Sequence, residues 1–325
     1  MSMAFEIPTE RWSSAVNAVT LGATAASGGT RTSTVTVGGD ATLPFLHFEG
    51  ATPNRPVVAM EVLDVAPKEW PPALMEHFGD VIDDPAAWAK KCVEQSGADL
   101  ICLRFLGAHP DGPDRSPEEC AGIVKSVLQA VGVPLIIWGC GDFDKDNNLI
   151  PVLSQAAAGE RCLLGSAVQD NYKTIAASSL ADGHLVITEA PLDIQIGKQV
   201  NILVTDMGVK PENMIMYQTT GGLGYGVEYA YSIMERVRLA ALGGDRMLSM
   251  PMLAVVGSEC WRTKEAKLSA EEAPEWGDAA VRGPMWEATT ANLFLHGGTH
   301  ILVMWHPQAV AQIKRTIADL MGEGA

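Results

Sequence analysis

Residues 214–242 read MIMYQTTGGLGYGVEYAYSIMERVRLAAL. The first four residues are a short apolar run, as a buried strand would be. Gly221, Gly222, Gly224 and Gly226 then fall within six residues. After them Ala230, Ile233, Met234, Val237 and Ala241 recur at helical spacing. The stretch is therefore a strand, a glycine-rich turn and an amphipathic helix. Glycines at such a turn let the backbone take positive φ or come close to a large ligand. Amides at the turn and the helix start can meet an anion or a polar ligand edge. A tight strand-to-helix connection would need the same glycines for geometry alone. GGLGYG does not fit the dinucleotide pattern G-x-G-x-x-G, and no Gly-Lys-Ser/Thr follows it as in a phosphate-cradling loop.

The same unit repeats outward from this stretch. Strand candidates lie at 57–63, 100–106, 135–139, 162–166, 185–189, 214–217, 248–256 and 301–305. Helix candidates follow at 85–96, 117–131, 147–158, 171–181, 194–208, 227–243, 284–297 and 307–321. Several strands are near-continuous apolar runs, as buried parallel strands are. Eight such units predict an α/β fold, a (β/α)8 TIM barrel over residues 53–325. A doubly wound open sheet is the alternative. The seventh unit is irregular, and 259–283 reads as a long charged loop with a short helix of its own. Residues 1–52 read as an N-terminal extension with a β-hairpin. Its strands would be 30–37 and 43–48, joined at Gly38-Gly39-Asp40.

Lys and Arg number 23 against 39 Asp and Glu, a net charge of −16. That balance disfavours nucleic acid and anionic membrane surfaces as partners. No run reaches the ~18 apolar residues of a membrane helix, and the N-terminus has no apolar core of a secretory signal. A cytoplasmic location is expected. The six cysteines, Cys92, Cys102, Cys120, Cys140, Cys162 and Cys260, contain no C-x-x-C pair. They read as buried free thiols, without a disulfide framework or an iron–sulfur cluster held by this chain alone.

In a barrel, function gathers at the C-terminal ends of the strands. Those ends are small and polar here: Asp64, His109, Asp142, Asn171, Asp193, Thr219 to Gly226, Ser258 and His306 among them. No strand candidate holds the lysine that a Schiff-base aldolase needs. Glu61 and Arg104, mid-strand on neighbouring units, are expected to pair inside the barrel. Asp142, Asp144 and Asp146 start like a calcium loop, but Asn147 and Leu153 stand where its Gly and Glu belong. An acidic helix start is the better reading. His296 and His300 are separated by Gly297-Gly298 and cannot share a helix face as zinc ligands do. His306 and His109 read as hydrogen-bonded structural residues. No G-x-S-x-G is present. What remains is a glycine-rich, hydroxyl- and carboxamide-bearing mouth suited to a large flat ligand.

Particular blocks then carry a resemblance. They include TLGATAASGGTR (20–31), VGGDATLPFLHFEG (37–50), NRPVVAMEV (54–62), VGVPLIIWGCGD (131–142), QDNYKTIAAS (169–178), PLDIQIGKQVNIL (191–203), TTGGLGYGVEYAYSIMERVRLAAL (219–242) and LSMPMLAVVGSECWRTKEA (248–266). Nearly end to end, the chain resembles the small (delta) subunit of the corrinoid iron–sulfur protein of the carbon monoxide dehydrogenase/acetyl-CoA synthase system. The resemblance implies a (β/α)8 barrel paired with a large subunit that carries the iron–sulfur cluster and a corrinoid-binding domain. It implies a cobalamin-type corrinoid at the interface, over the barrel mouth. The pair would carry a methyl group on cobalt from a methyltetrahydrofolate-dependent methyltransferase to acetyl-CoA synthase in the Wood–Ljungdahl pathway.

With that resemblance, the candidate corrinoid-contacting residues are Thr219, Thr220, Gly221, Gly222, Leu223, Gly224 and Tyr225, with Asp193 and Asn171 on neighbouring rims. No catalytic or metal-ligating residue is expected of this chain. Where relatives commonly have Asp-Pro, this chain has Tyr217-Gln218, which weakens any reading as a pterin binder. Two further readings stay open, a stand-alone pterin-dependent methyltransferase and a purely structural scaffold.

Overall fold

The computed structural model describes residues 7–322. Two antiparallel strands, β1 (Ala18–Leu21) and β2 (Val35–Gly38), precede eight parallel ones. These are β3 (Val57–Leu63), β4 (Leu100–Arg104), β5 (Leu135–Trp138), β6 (Leu163–Ala167), β7 (Leu185–Ala190), β8 (Met214–Gln218), β9 (Met252–Val255) and β10 (Ile301–Met304). They close in chain order, with β10 returning to β3. The result is the expected (β/α)8 barrel and not an open sheet.

Helices α1 (Pro72–Phe78) and α2 (Pro85–Ser96) follow β3; α3 (Pro117–Ala130), α4 (Phe143–Ala156), α5 (Tyr172–Asp182), α6 (Ile194–Asp206) and α7 (Val227–Leu242) follow β4 to β8. The seventh barrel unit carries α8 (Gly257–Trp261), α9 (Lys264–Lys267) and α10 (Ala279–His296), and α11 (Pro307–Leu320) is the last helix among the described residues. Many starts are side-chain capped. Ser116 and Glu119 form a reciprocal capping box on α3, and Asp142 caps α4 by accepting from Lys145 N at 2.8 Å.

Two cores result from the strand period of two. One lies between the barrel and its helices. The other fills the barrel and includes Ala59, Cys102, Ile136, Ile187, Ile215 and Val303. Val19, Leu21 and Val37 of the N-terminal sheet belong to this second core and are fully buried. The small sheet thus plugs the barrel's N-terminal end, each side chain contributing about 1.5–3 kcal/mol by burial.

The hairpin differs from expectation in its strands. Residues 43–48 form turns, and the partner of β2 lies before it, at 18–21, in the register Ala18↔Gly38 to Leu21↔Val35. Thr30 and Arg31 are drawn away from a strand by buried polar bonds. Glu160 takes Thr30 Oγ1 at 2.8 Å and Arg31 Nε at 2.8 Å, and Arg31 also donates to Leu128 O and Val131 O, at the end of α3, both at 2.6 Å. Asp40 joins this segment to the barrel. It accepts from His300 Nε2 at 2.7 Å and lies 3.6 Å from Arg238. All six cysteines are buried free thiols. Among the described residues no helix is long and apolar enough to cross a membrane.

Candidate functional site

The inward face of the strands turns polar at their C-terminal ends. Glu61 follows Ala59 by two residues, Arg104 follows Cys102, and Glu189 follows Ile187, so each continues the interior face. Arg104 Nε donates to Glu61 Oε1 at 2.6 Å, the ion pair expected from the sequence. The guanidinium lies 4.6 Å from the centroid of Trp138, whose ring meets Tyr217 edge-on at 5.2 Å. Glu61 Oε2 accepts from the indole N–H of Trp305. Glu189 accepts from the Ser166 hydroxyl. Burial raises the carboxyl of Glu189 above its ordinary range, against the pull of Ser166 and Arg104.

A cavity of about 440 Å³ opens above this layer, between the ends of β3, β4, β9 and β10. Glu61, Arg104, Ser258 and Glu259 supply its inner polar groups, Glu69, Arg262 and Lys267 its exposed rim, and Trp70, Trp261 and Trp305 much of its wall. Trp70 packs on Trp305 at 5.2 Å and on Trp88 at 5.2 Å. Trp305 is fixed from behind by Glu287 of α10, a fully buried carboxylate. Glu287 accepts from Trp305 N at 2.6 Å, His306 N at 3.0 Å and Trp261 Nε1 at 2.7 Å. Burial pushes its carboxyl up to about 7 even against those three donors. His306 caps α11 by accepting from Gln308 N, and stacks on Trp261 at 5.6 Å. On the β3 rim, buried Asp64 accepts from Gly107 N at 2.7 Å and from Arg115 Nη1 at 3.1 Å.

The glycine-rich turn leaves the end of β8 on another sector of the mouth. Thr219 Oγ1 donates to Ala190 O at 3.2 Å and Thr220 Oγ1 to Val255 O at 2.6 Å. These bonds tie the turn to β7 and β9. Tyr225 N donates to Gly222 O at 2.9 Å. The amides of Gly221, Gly222, Leu223 and Gly224 donate to no acceptor among the described residues. A Cβ on Gly221 would sit 2.7 Å from Tyr225 O, and one on Gly222 would sit 3.2 Å from Glu259 O. Gly224 and Gly226 take positive φ, +77° and +100°. Leu223 lines a second, shallower recess with Trp276, Val281 and Met285.

A family model described as CO dehydrogenase/acetyl-CoA synthase delta subunit matches residues 18–273. The chain belongs to this family. Its relatives include the acetyl-CoA decarbonylase/synthase complex subunit delta of Archaeoglobus fulgidus, 36% identical over 324 residues, 98% of this chain and 71% of that one. The subunit delta of Methanosarcina mazei is 37% identical over 316 residues, 96% of this chain and 72% of that one. The subunit delta of Methanocaldococcus jannaschii is 33% identical over 328 residues, covering 98% and 78%. Among solved structures, a dihydropteroate synthase from Coxiella burnetii superposes with a TM-score of 0.56 at 11% identity, over 86% of this chain and 99% of that one. The Vibrio fischeri enzyme gives 0.56 at 13% identity, over 86% and 97%. At such identities the likeness is one of barrel fold.

In this delta-subunit family member the candidate residues divide by location. Thr219 to Tyr225 form one continuous rim segment, with Tyr225 about half exposed. Asp193 caps α6 by accepting from Gln195 N and Ile196 N, which occupies its Oδ1. Asn171 is buried, its Oδ1 taken by Val168 N and its Nδ2 by Ser166 O, so it shapes the β6–α5 connection. The Tyr217-Gln218 pair splits between faces. Tyr217 points into the barrel, while buried Gln218 packs against Gly197 of α6 with neither amide atom partnered among the described residues. The Trp70, Trp305, Ser258 and Glu259 cavity was not anticipated. Its parts come from connections roughly 50 to 235 residues apart, and only the mid-strand charges Glu61 and Arg104 and the place of Ser258 at a strand end pointed toward it.

Proposed function

We propose that this chain is the subunit that caps a cobalamin-type corrinoid with its barrel mouth, in a complex that carries a methyl group to acetyl-CoA synthase. The observation that carries this reading is membership of the delta-subunit family across residues 18–273. The relatives' names place them in an acetyl-CoA decarbonylase/synthase complex. In this reading the immediate partner is a large subunit that holds the iron–sulfur cluster. A methyltetrahydrofolate-dependent methyltransferase and acetyl-CoA synthase act as donor and acceptor partners, in the cytoplasm.

The residues present fit a broad, amide-rimmed macrocycle. The turn offers unpartnered amides at Gly221 to Gly224, and glycine lets a ring edge approach without a Cβ in the way. When bound, the corrinoid's cobalt would supply the methyl-carrying centre. This chain's own task is to position and shield. Thr219 and Thr220, fastened to β7 and β9, hold the turn still, and the tryptophans would give a bound ring an apolar wall at the mouth. The chain is thus a non-catalytic component of the transfer.

Cobalt content tests the reading. Expressed alone in a corrinoid-rich anaerobic host, the chain should be colourless; co-expressed with its large subunit, the pair should hold about one cobalt. A pair that forms without cobalt would favour a scaffold role. Methyl transfer from methyltetrahydrofolate to free cobalamin by the chain alone would make it an enzyme in its own right.

A further inference from the structure

Arg104 is held on two sides and open on a third. Its Nε is fixed by Glu61 and its plane by Trp138, yet Nη1 and Nη2 have no hydrogen-bond partner among the described residues. The guanidinium lines the mouth cavity, so these N–H groups border the open space. Guanidinium keeps its proton and can only donate. Both oxygens of Glu61 are occupied, by Arg104 and Trp305. Glu259, across the same cavity, uses Oε1 for Arg262 Nη1 at 2.9 Å, while Oε2 and the Ser258 hydroxyl have no partner among the described residues. The cavity therefore presents unfilled donors on one wall and unfilled acceptors on another.

We propose that this cavity is a carboxamide-binding subsite, taking a primary amide arm with its carbonyl oxygen on Arg104 and its NH2 on Glu259 and Ser258. The identity of the arm's parent ligand rests on the corrinoid reading above; the subsite chemistry rests on the cavity. Charge decides between an amide and a carboxylate. Glu61, Glu189 and Glu259 all feel Arg104; at the exposed rim Arg262 and Lys267 add two positive charges and Glu69 one negative, so four carboxyl groups stand against three cations. The surplus is negative, so an incoming carboxylate would meet repulsion in a poorly solvated recess. A cation would have to lie against Arg104. A neutral amide brings one strong acceptor and two donors in a plane and matches both walls. Leu63, Trp70 and Trp305 give its methylene stem an apolar channel.

Two measurements separate the subsite from the corrinoid reading. In the complex with its large subunit, cobalamin and its monocarboxylic acids, each with one amide hydrolysed, are compared by dissociation constant. At least one acid should bind tenfold or more weakly than cobalamin. Glu259→Gln, which can donate to a carboxylate, should narrow that ratio to threefold or less, and Ser258→Ala should weaken the amide form only. Normal cobalamin loading with no acid discriminated, or with discrimination unchanged in Glu259→Gln, overturns the subsite and leaves the corrinoid reading intact. On the full chain alone, propionamide should shift the Trp305 indole N–H resonance saturably, with propionate at least tenfold weaker. Propionamide binding without cobalamin loading by the complex keeps the subsite and removes the corrinoid reading. Binding of neither removes both.

Discussion

Glu61 and Arg104 meet inside the barrel, on neighbouring strands, with Arg104 Nε 2.6 Å from Glu61 Oε1 and the Glu61 side chain only 1% exposed. A buried pair of this kind contributes little net stability beyond an apolar pair of similar shape, but breaking it is costly. Arg104→Met leaves the Glu61 carboxylate with Trp305 alone. A loss of about 3–5 kcal/mol in chemical denaturation is expected. Pairing it with Glu61→Gln, which keeps an acceptor for the indole, should recover most of that loss. Additive losses in the double variant would show that the two residues are not coupled.

His306 gives the fold a pH dependence of known sign. Burial, with nearby His77 adding to it, depresses its imidazole from 6.5 to about 4. The unfolded chain therefore takes up a proton between those values while the folded chain does not, and stability falls as pH drops through that window. The difference is worth about 3 kcal/mol by linkage, complete near pH 4. Glu287, raised to about 7, works in the opposite direction, so the total slope is a sum. His306→Asn keeps a capping side chain on α11 and removes the titration. Relative to this variant, the wild type should lose stability steadily from pH 7 to pH 4. A stability difference independent of pH would count against the assignment.

Gln218 is nearly fully buried, with both amide atoms unpartnered among the described residues. An unsatisfied buried amide costs about 1–3 kcal/mol, and an apolar replacement of similar shape removes that cost. Gln218→Met should hold or raise the melting temperature. A drop of several degrees would mean that the amide has a polar partner in solution, such as a buried water.

The barrel was legible because parallel strands covered on both faces are near-continuous apolar runs, as in LIIW and MLAV of β5 and β9. Its N-terminal plug was legible only as β structure. AVTL at 18–21 is too short to announce a strand, and TRTSTV alternates as a strand would, although Thr30 and Arg31 serve Glu160 instead. The Glu61–Arg104 pair could be read because two opposite charges sat mid-strand on adjacent units. The cavity above it could not, since Trp70, Glu259 and Trp305 reach it from separate connections whose directions only the folded loops define. The glycine turn lay between these cases. Its position at the mouth was readable, but the inward aim of the missing Cβ of Gly222 was not.

That aim sharpens the expected effect of Gly222→Val. The backbone of Gly222 does not take positive φ, so the substitution acts by volume and not by backbone strain. A new Cβ would lie 3.2 Å from Glu259 O and 3.4 Å from Thr263 Cγ2, and valine's two methyls add further bulk beside α8. Overpacking of this kind costs about 1–3 kcal/mol. It should also push Glu259 away from its place in the mouth cavity, so in the complex cobalt retention should fall more than the melting temperature does. Gly224→Ala is the contrasting variant. It strains a residue at φ +77° but meets only Trp286, at 3.8 Å, and leaves Glu259 alone. It should lower stability by about 1 kcal/mol while retaining cobalt. If Gly222→Val folds, pairs with the large subunit and keeps its full cobalt, contact between this turn and the corrinoid is wrong. If both variants lose cobalt only in proportion to lost fold, the glycines serve the turn into α7 and nothing more.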